Sequence, residues 1–364
     1  MSEGCRPWDP LSSSRRDDDA PLDVLLSGTV FFDLIFTGLP RQPGPGQEVH
    51  SAGMGSCPGG IANLATASAR LGLRTGLVAG FGDDAYADWM WDTLAHQEGV
   101  DLGSSVRFEG FHSAVTISIS TDGDRSMITH AHDLPGSLTD AIASAPRTRA
   151  AVVDLAGETD WWADLTASGT RIFADVGYDE TGRWDPADLA PLRHCHAFVP
   201  NAVEAMAYTR TDSPRRAVMA LAGLVPLAIV TDGAGGSHAI DQATGEEAFC
   251  PVIPVEAMDA TGAGDVFAAA SVLGELAGWP LLHRLEFASL CAGLAVQQFG
   301  GSLAAPGWGD ISDWWNDVVH RAGEGDLAAA RLRDRYAFLT DVLPEHPVHV
   351  VRRARATFAL ASDA

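Results

Sequence analysis

Lysine is absent from all 364 residues. That absence excludes a Walker A loop ending in Gly-Lys-Ser/Thr, a Schiff base to pyridoxal phosphate and a lysine nucleophile, so any nucleotide site must work without an amine side chain. Cysteine is sparse: Cys5, Cys57, Cys195, Cys250 and Cys291 are odd in number, scattered, and include no Cys-x-x-Cys pair. They suggest neither a disulfide framework nor a zinc ribbon, and a reducing cytoplasm suits them best. No run of about 20 apolar residues occurs, and no early segment joins basic residues to an apolar run, which argues against a membrane span or an export signal. Positive charge is also short, with 24 Lys plus Arg against 48 Asp plus Glu and a net charge of −24. Such a balance repels a nucleic-acid backbone and an anionic lipid surface, so neither is an expected partner.

What is present is a globular composition. Hydrophobic residues make up 46% and charged residues 20%, far from the composition of chains that stay disordered. The length allows one large α/β domain with additions or two ordinary domains of about 150 residues. Residues 1–21, with Pro7, Pro10, Ser12 to Ser14, Arg15, Arg16 and Asp17 to Asp19, have little to bury and read as a disordered leader. From Asp23, Val-Leu-Leu-Ser-Gly and then Val30-Phe31-Phe32-Asp33 predict a buried strand, followed by a Pro/Gly-rich loop over 40–46. Ile61 to Leu71 has helical spacing and stops at Gly72, and Thr75 to Gly80 reads as a strand. Alternation over Ala114 to Ser120, then Asp122-Gly123, then Arg125 to His130 predicts a hairpin.

Ala150 to Asp154, Arg171 to Asp175, Ala197 to Pro200 and Leu227 to Thr231 are short continuous apolar runs, as in parallel strands covered on both faces. The expected architecture is a parallel α/β body plus a small antiparallel sheet. A basic, helix-like stretch from about Asp326 to Ala359 is expected as a C-terminal addition.

The strongest chemical signal is Asp259-Ala-Thr-Gly262-Ala263-Gly264-Asp265, set directly before the small-residue apolar helix Val266 to Leu276. Glycines let the backbone approach a ligand, and a helix start offers unpaired N–H groups at the positive end of its dipole. That makes an anion site without lysine. An aspartate inside it is costly by repulsion; taking a proton from an attacking hydroxyl would give Asp265 a reason to be there. The plainer reading is a Gly-rich turn with Asp265 as a dipole partner.

This segment resembles the hallmark of the ribokinase-like (PfkB-type) carbohydrate kinases, Asp-Thr-x-Gly-Ala-Gly-Asp. A second hallmark of that family, a Gly-Gly pair followed by Ala-Asn and a helix, is similar to Gly59-Gly60-Ile61-Ala62-Asn63, with Ala69-Arg70-Leu71-Gly72 closing the helix. Further matches are Pro200-Asn201-Ala-Val-Glu204-Ala205, Val230-Thr231-Asp232-Gly233-Ala-Gly235-Gly236 and Gly80-Phe-Gly82-Asp83-Asp84. The resemblance covers about Leu22 to Trp315.

The resemblance implies a three-layer α/β fold with a central, mostly parallel sheet and a small antiparallel β lid, here from about 47–54 and 112–130. A kinase domain over 22–320 and a C-terminal helical extension over 321–364 follow. It implies ATP-dependent phosphorylation of a hydroxyl on a small sugar or sugar derivative. Asp265 is then the general base, and Gly262, Ala263 and Gly264 stabilise the moving phosphoryl group. Asp33, at the carboxyl end of the first strand, would accept hydrogen bonds from substrate hydroxyls, with Gly59, Gly60 and Asn63 around the same hydroxyls. Asn201 and Glu204 would organise magnesium and phosphates, largely through water. Thr231, Gly233 and Gly236 would form the adenosine and phosphate loop. In part of the family a monovalent cation, K+, sits near a residue in the position of Asp259 and the loop Gly300-Gly301-Ser302.

Each position also has a local reading. Asp33 and Asn63 are candidate caps, Asn201 and Glu204 form a capping box by spacing, and the cluster Gly233 to Gly236 reads as a tight turn. Two departures stand out: Ala260 replaces a frequent threonine, and Val176-Gly177-Tyr178-Asp179 replaces the Asn and Arg that often follow Asp175. Tryptophans at 89, 91, 161, 162, 314 and 315 suit the core or a stacked sugar or base, Cys57 suits a small filler, and His130 and His132 suit solvent. Rival functions are a nucleoside kinase of the same family and a catalytically silent sugar- or nucleotide-binding regulator. The lid edge is expected to pair two copies into a homodimer.

Overall fold

A computed structural model describes residues 8–16, 18–121, 124–155, 159–177, 179, 181–343 and 359–360. Its centre is an eight-stranded sheet. The strands are β1 Leu22–Ser27, β4 Thr75–Val78, β9 Thr148–Asp154, β10 Arg171–Asp175, β11 Ala197–Phe198, β12 Leu227–Thr231, β13 Ser237–Asp241 and β14 Glu246–Cys250. Their spatial order is β14-β13-β12-β11-β10-β9-β1-β4. The run from β4 to β12 is parallel, and β13 and β14 close one edge as an antiparallel meander. The apolar runs read from the sequence supply these parallel strands: Val24, Leu26, Ala150, Ala197 and Val230 are fully buried, which requires cover on both faces.

A second sheet comprises β2 Val30–Thr37, β3 Gly53–Gly60, β7 Ala114–Thr121, β8 Asp124–His130 and the two-residue β15 Ala359–Leu360, in the order β15-β3-β2-β7-β8. A separate minor pair is formed by β5 Gly80–Phe81 and β6 Val106–Arg107. The helices are α1 Ile61–Arg70, α2 Ala85–Asp92, α3 Thr139–Ala143, α4 Trp162–Ala167, α5 Ala202–Thr209, α6 Pro214–Leu221, α7 Ala263–Leu276, α8 Leu281–Ala295, α9 Gly301–Ala304, α10 Trp308–Gly323, α11 Leu327–Arg335 and α12 Leu339–Val342. None among the described residues is long and apolar enough to cross a membrane.

Several expectations change. The chain breaks at Gly28-Thr29, so Val30 to Asp33 does not continue the first strand but opens β2 of the small sheet. Asp33 therefore sits mid-strand in the lid, not at the carboxyl end of β1. The lid's first hairpin is β2 with β3, and 47–52 is loop; the second is β7 with β8 as expected, its Asp122-Gly123 turn lying outside the described residues. Helix does not continue to Ala359: α12 ends at Val342, 344–358 lie outside the described residues, and Ala359 pairs with Met54 of β3. The tryptophans serve packing, with Trp162 fully buried and Trp89 edge-on to Phe32.

The described part of the leader is docked, not loose. Leu11 is 1% exposed within the core, and Trp8 packs beside it. Arg15 forms ion pairs with Asp9 and with the fully buried carboxylate of Asp23 at the start of β1. Burial opposes ionisation of Asp23, but bonds from Arg15 and Arg74 prevail and hold it below the usual carboxylate range. One apolar side chain and one guanidinium suffice to order a polar segment. Leu11→Ala should therefore cost about 2–5 kcal/mol, the range for a truncated buried leucine. Urea unfolding measures this, and an unchanged midpoint would mean that the segment is not docked.

Candidate active site

The site forms where open α/β sheets usually hold ligands, beyond the carboxyl ends of the parallel strands. Gly262 caps α7 in the left-handed region at φ +76°, a conformation that favours glycine. A side chain there would also strike Gly301, whose Cα lies 2.9 Å from the position of a Cβ on Gly262. In the first turn, the N–H groups of Gly264 and Asp265 have no backbone partner among the described residues, whereas that of Ala263 is taken by the carbonyl of Ala260 at 3.2 Å. Gly264 faces open space. Free N–H groups beside an empty volume at the positive end of a 14-residue helix suit an anion.

Asp265 occupies the same turn. It is half-buried there, and burial pushes its carboxyl up to about 6 despite a hydrogen bond that favours the ionised form. The donor of that bond is Asn63 Nδ2, 3.1 Å from Asp265 Oδ2. Two motifs 202 residues apart thus meet in one contact. The other end of the Asn63 amide, Oδ1, is buried without a partner.

Asp33 lies on β2, against β3 just before α1. Its Oδ2 lies over Gly59 of the neighbouring strand, where a Cβ would come within 1.8 Å, so a side chain there would push the carboxylate aside. Burial pushes the Asp33 carboxyl up to about 7. Cys57 lies across from it in register and is fully buried, its thiol pushed up to about 12, as suits a filler. Gly60 completes the turn into α1, whose third residue is Asn63.

Beyond α7 opens a cavity of about 400 Å³. Thr231, Gly233 and Gly236 line it with Ala263 and Gly264, while Val252, Val255, Phe267 and Val296 supply an apolar wall. The predicted nucleotide loop and the anion turn therefore share one cavity, and a flat ring with a phosphate tail suits its two ends. Asn201 stands next to Thr231, bridged to it in parallel. The capping box is real: Asn201 Oδ1 accepts from the N–H of Glu204 at 3.0 Å, and Glu204 Oε2 accepts from that of Asn201 at 2.9 Å. Asp259 accepts from the N–H and hydroxyl of Thr261 and from the N–H of Gly300, which ties the anion turn to the loop at 300.

The sequence reading missed the role of two acids. Asp175 and Asp154 are paired in register at the ends of β10 and β9. Burial, and then the negative charges of Asp265, Glu204 and Asp154, push Asp175 well above the usual range. The signal was available, since each closes an apolar strand at the end where such sheets bind ligands. His130 and His132 are exposed.

An open, mostly parallel α/β sheet covered by helices, with a small β lid, makes a ribokinase-like fold. Residues 24–307 match the pfkB family carbohydrate kinases, and the chain belongs to that family. Ribokinase from Schizosaccharomyces pombe is 26% identical over 317 residues, covering 81% of this chain and 98% of that protein. Fructokinase from Klebsiella pneumoniae is 31% identical over 278 residues, covering 69% and 89%. Ribokinase from Arabidopsis thaliana, solved with ribose and ATP, superposes with a TM-score of 0.64 at 21% identity, over 79% of this chain and 96% of that one, a likeness of fold.

The raised Asp265 has a measurable consequence. Its folded form holds the proton more tightly than the unfolded chain does, so its contribution to stability falls as pH rises from about 4 through 6. Asp265→Asn should then be more stable than the parent at pH 8, by about 1–2 kcal/mol after solvent screening, with the gap closing toward pH 4. Urea unfolding at the two pH values decides it; a variant less stable at pH 8 would show that Asp265 is not strained by ionisation.

Proposed function

We propose that the protein transfers the γ-phosphoryl group of ATP to a hydroxyl of a small sugar or sugar derivative. The observation that carries this reading is Asp265, a carboxyl raised to about 6 in the first turn of α7, beside unpaired N–H groups and open space. A base poised just below neutrality is deprotonated at pH 7 yet basic enough to take a proton. A ribokinase and a fructokinase among the relatives support a small sugar as acceptor.

In this mechanism Asp33 accepts hydrogen bonds from the acceptor's hydroxyls, and the backbone at Gly59 and Gly60 lets it lie close. Asn63 binds the same acceptor while keeping Asp265 oriented. Asp265 takes the proton of the attacking hydroxyl, whose oxygen bonds to the γ-phosphorus as the bond to ADP breaks. The turn Gly262–Gly264 receives the charge on the transferring group, with Gly264 and Asp265 as the free donors. Thr231, Gly233 and Gly236 hold the nucleotide along the apolar wall.

Among the described residues no three His, Cys, Asp or Glu side chains form a ready metal cage. The donor set still fits magnesium carried in with the nucleotide: Asn201 and Glu204, with Asp175 and Asp154 close by, would hold it through water. When bound, magnesium neutralises phosphate charge. Asp259, with the loop Gly300-Gly301-Ser302, is the place for a monovalent cation such as K+.

The small sheet supports pairing with a second copy. Leu34, Phe36, Met54, Ile117, Ile119 and Ile128 lie on one face by register, and Met54 and Ile128 are 43% and 62% exposed. Sedimentation should find a dimer, and Ile128→Asp should shift it to monomer; a monomeric parent would remove this pairing.

ADP and sugar-phosphate formation should be followed with ATP and magnesium across ketoses, aldoses, sugar acids and nucleosides, in potassium and in sodium buffers. Turnover should concentrate on a sugar, run faster in potassium, and fall about 10²- to 10⁴-fold in Asp265→Asn, the range for a positioned base. Nucleotide affinity should stay within a few-fold. Preference for a nucleoside would change the acceptor class, and ATP binding without turnover on any acceptor would point to a regulator.

A further inference from the structure

The short turn α9 touches three parts of the site at once. Ser302, 2% exposed, donates its hydroxyl to the carbonyl of Pro58, 2.5 Å away and 244 residues earlier in the chain. Pro58 lies in β3 immediately before Gly59 and Gly60. Gly301 presses on Asn63 so closely that a Cβ would come within 2.4 Å of the amide oxygen, and it also meets Gly262. Gly300 donates to Asp259 at 3.2 Å. From the far end of α1, the buried Arg70 donates to the carbonyls of Leu303 and Ala305 at 3.0 and 2.7 Å. Lid strand, acceptor helix and anion turn thus all converge on residues 300–305.

We propose that Ser302 is a positioning residue for phosphoryl transfer: its hydroxyl keeps β3 aligned with the anion turn, so the acceptor arrives over Asp265. Asp33, Gly59, Gly60 and Asn63 belong to the lid side, whereas Asp265 and the phosphate-binding turn belong to α7. Asn63 to Asp265 is one link between them, and Ser302 to Pro58 is a second, buried one. Loss of the hydroxyl takes a donor from a buried carbonyl in a strand where proline already lacks an N–H. The lid strand then shifts relative to α7, and an acceptor displaced by a fraction of an ångström competes less well with water for the phosphoryl group. The nucleotide cavity takes none of its lining from α9, so ATP binding alone is unaffected.

The inference rests on the phosphotransferase reading, and the test separates the two. Full-length Ser302→Ala is assayed for ADP and sugar phosphate together, using the acceptor that the parent turns over. The control is Ile311→Ala, which trims a fully buried side chain of α10 in the main core and leaves the hydroxyl. Ser302→Ala should lower kcat/KM for the acceptor about ten- to a hundredfold, release ADP in excess of sugar phosphate, and bind ATP within about twofold of the parent. Ile311→Ala should lower the thermal midpoint while keeping the ratio of ADP to sugar phosphate at one. An unchanged ratio in Ser302→Ala, or the same shift in both variants, overturns the proposal. If the parent turns over no acceptor, the phosphotransferase reading fails by itself. Amide exchange over 53–60 then judges the bridge: faster exchange in Ser302→Ala supports it, and unchanged exchange refutes it.

Discussion

A carboxylate held at the positive end of helix α7 is the constraint around which the molecule is arranged. The first turn of α7 favours negative charge, and Asp265 supplies one at a cost that burial increases. The contact that relieves it comes from the amide of Asn63, on a helix far away in sequence. To bring that amide within 3.1 Å, α1 must lie against α7, and Gly301 must stay bare of a side chain between them. The lid strand β3 then follows, because it runs straight into α1 through Gly59 and Gly60.

The absence of lysine shapes how charge is used. Several arginines work as structural ties, among them Arg15 to Asp23, Arg70 to Glu98, Arg335 to Glu286, and Arg284 to Glu275 and Asp241. The positive field at the proposed phosphate position then comes from backbone N–H groups and the helix dipole, whose strength does not depend on a flexible side chain. Acidic groups gather instead at the ends of β9 and β10, where a cation carried by a nucleotide would be welcome. The apolar wall of Val252, Val255, Phe267 and Val296 suits the uncharged end of such a ligand.

Much of this was legible in the sequence, and what was not has physical reasons. Parallel strands announce themselves by continuous apolar runs, so β9, β10 and β12 were placed within a few residues. The Asp259 to Asp265 segment and the Gly-Gly pair are local patterns tied to local backbone needs. By contrast, β3 reads Gly-Met-Gly-Ser-Cys-Pro-Gly-Gly, with almost no strand preference of its own; it is extended because β2 pairs along all eight residues. Assigning Val30 to Asp33 to the first strand failed for a similar reason, since which sheet a strand joins is decided by distant partners. The leader looked too polar to fold, yet Leu11 and Arg15 each found a buried partner that no local pattern announces. Asp175 was noted only for the residues after it, because its position at the ligand-binding end of the sheet becomes visible only once the strand order is known.

In the proposed mechanism acceptor, base and anion turn lie on one line. This alignment is tested most directly by a crystal structure of the full chain with a phosphorylatable sugar, ADP, magnesium and a planar phosphoryl mimic such as aluminium fluoride. The account predicts the acceptor oxygen within about 2.6–3.2 Å of the Asp265 carboxylate, the mimic against the N–H groups of Gly264 and Asp265, and Asp33 on the neighbouring hydroxyls. A mimic bound away from the start of α7, or an acceptor oxygen out of reach of Asp265, would contradict it.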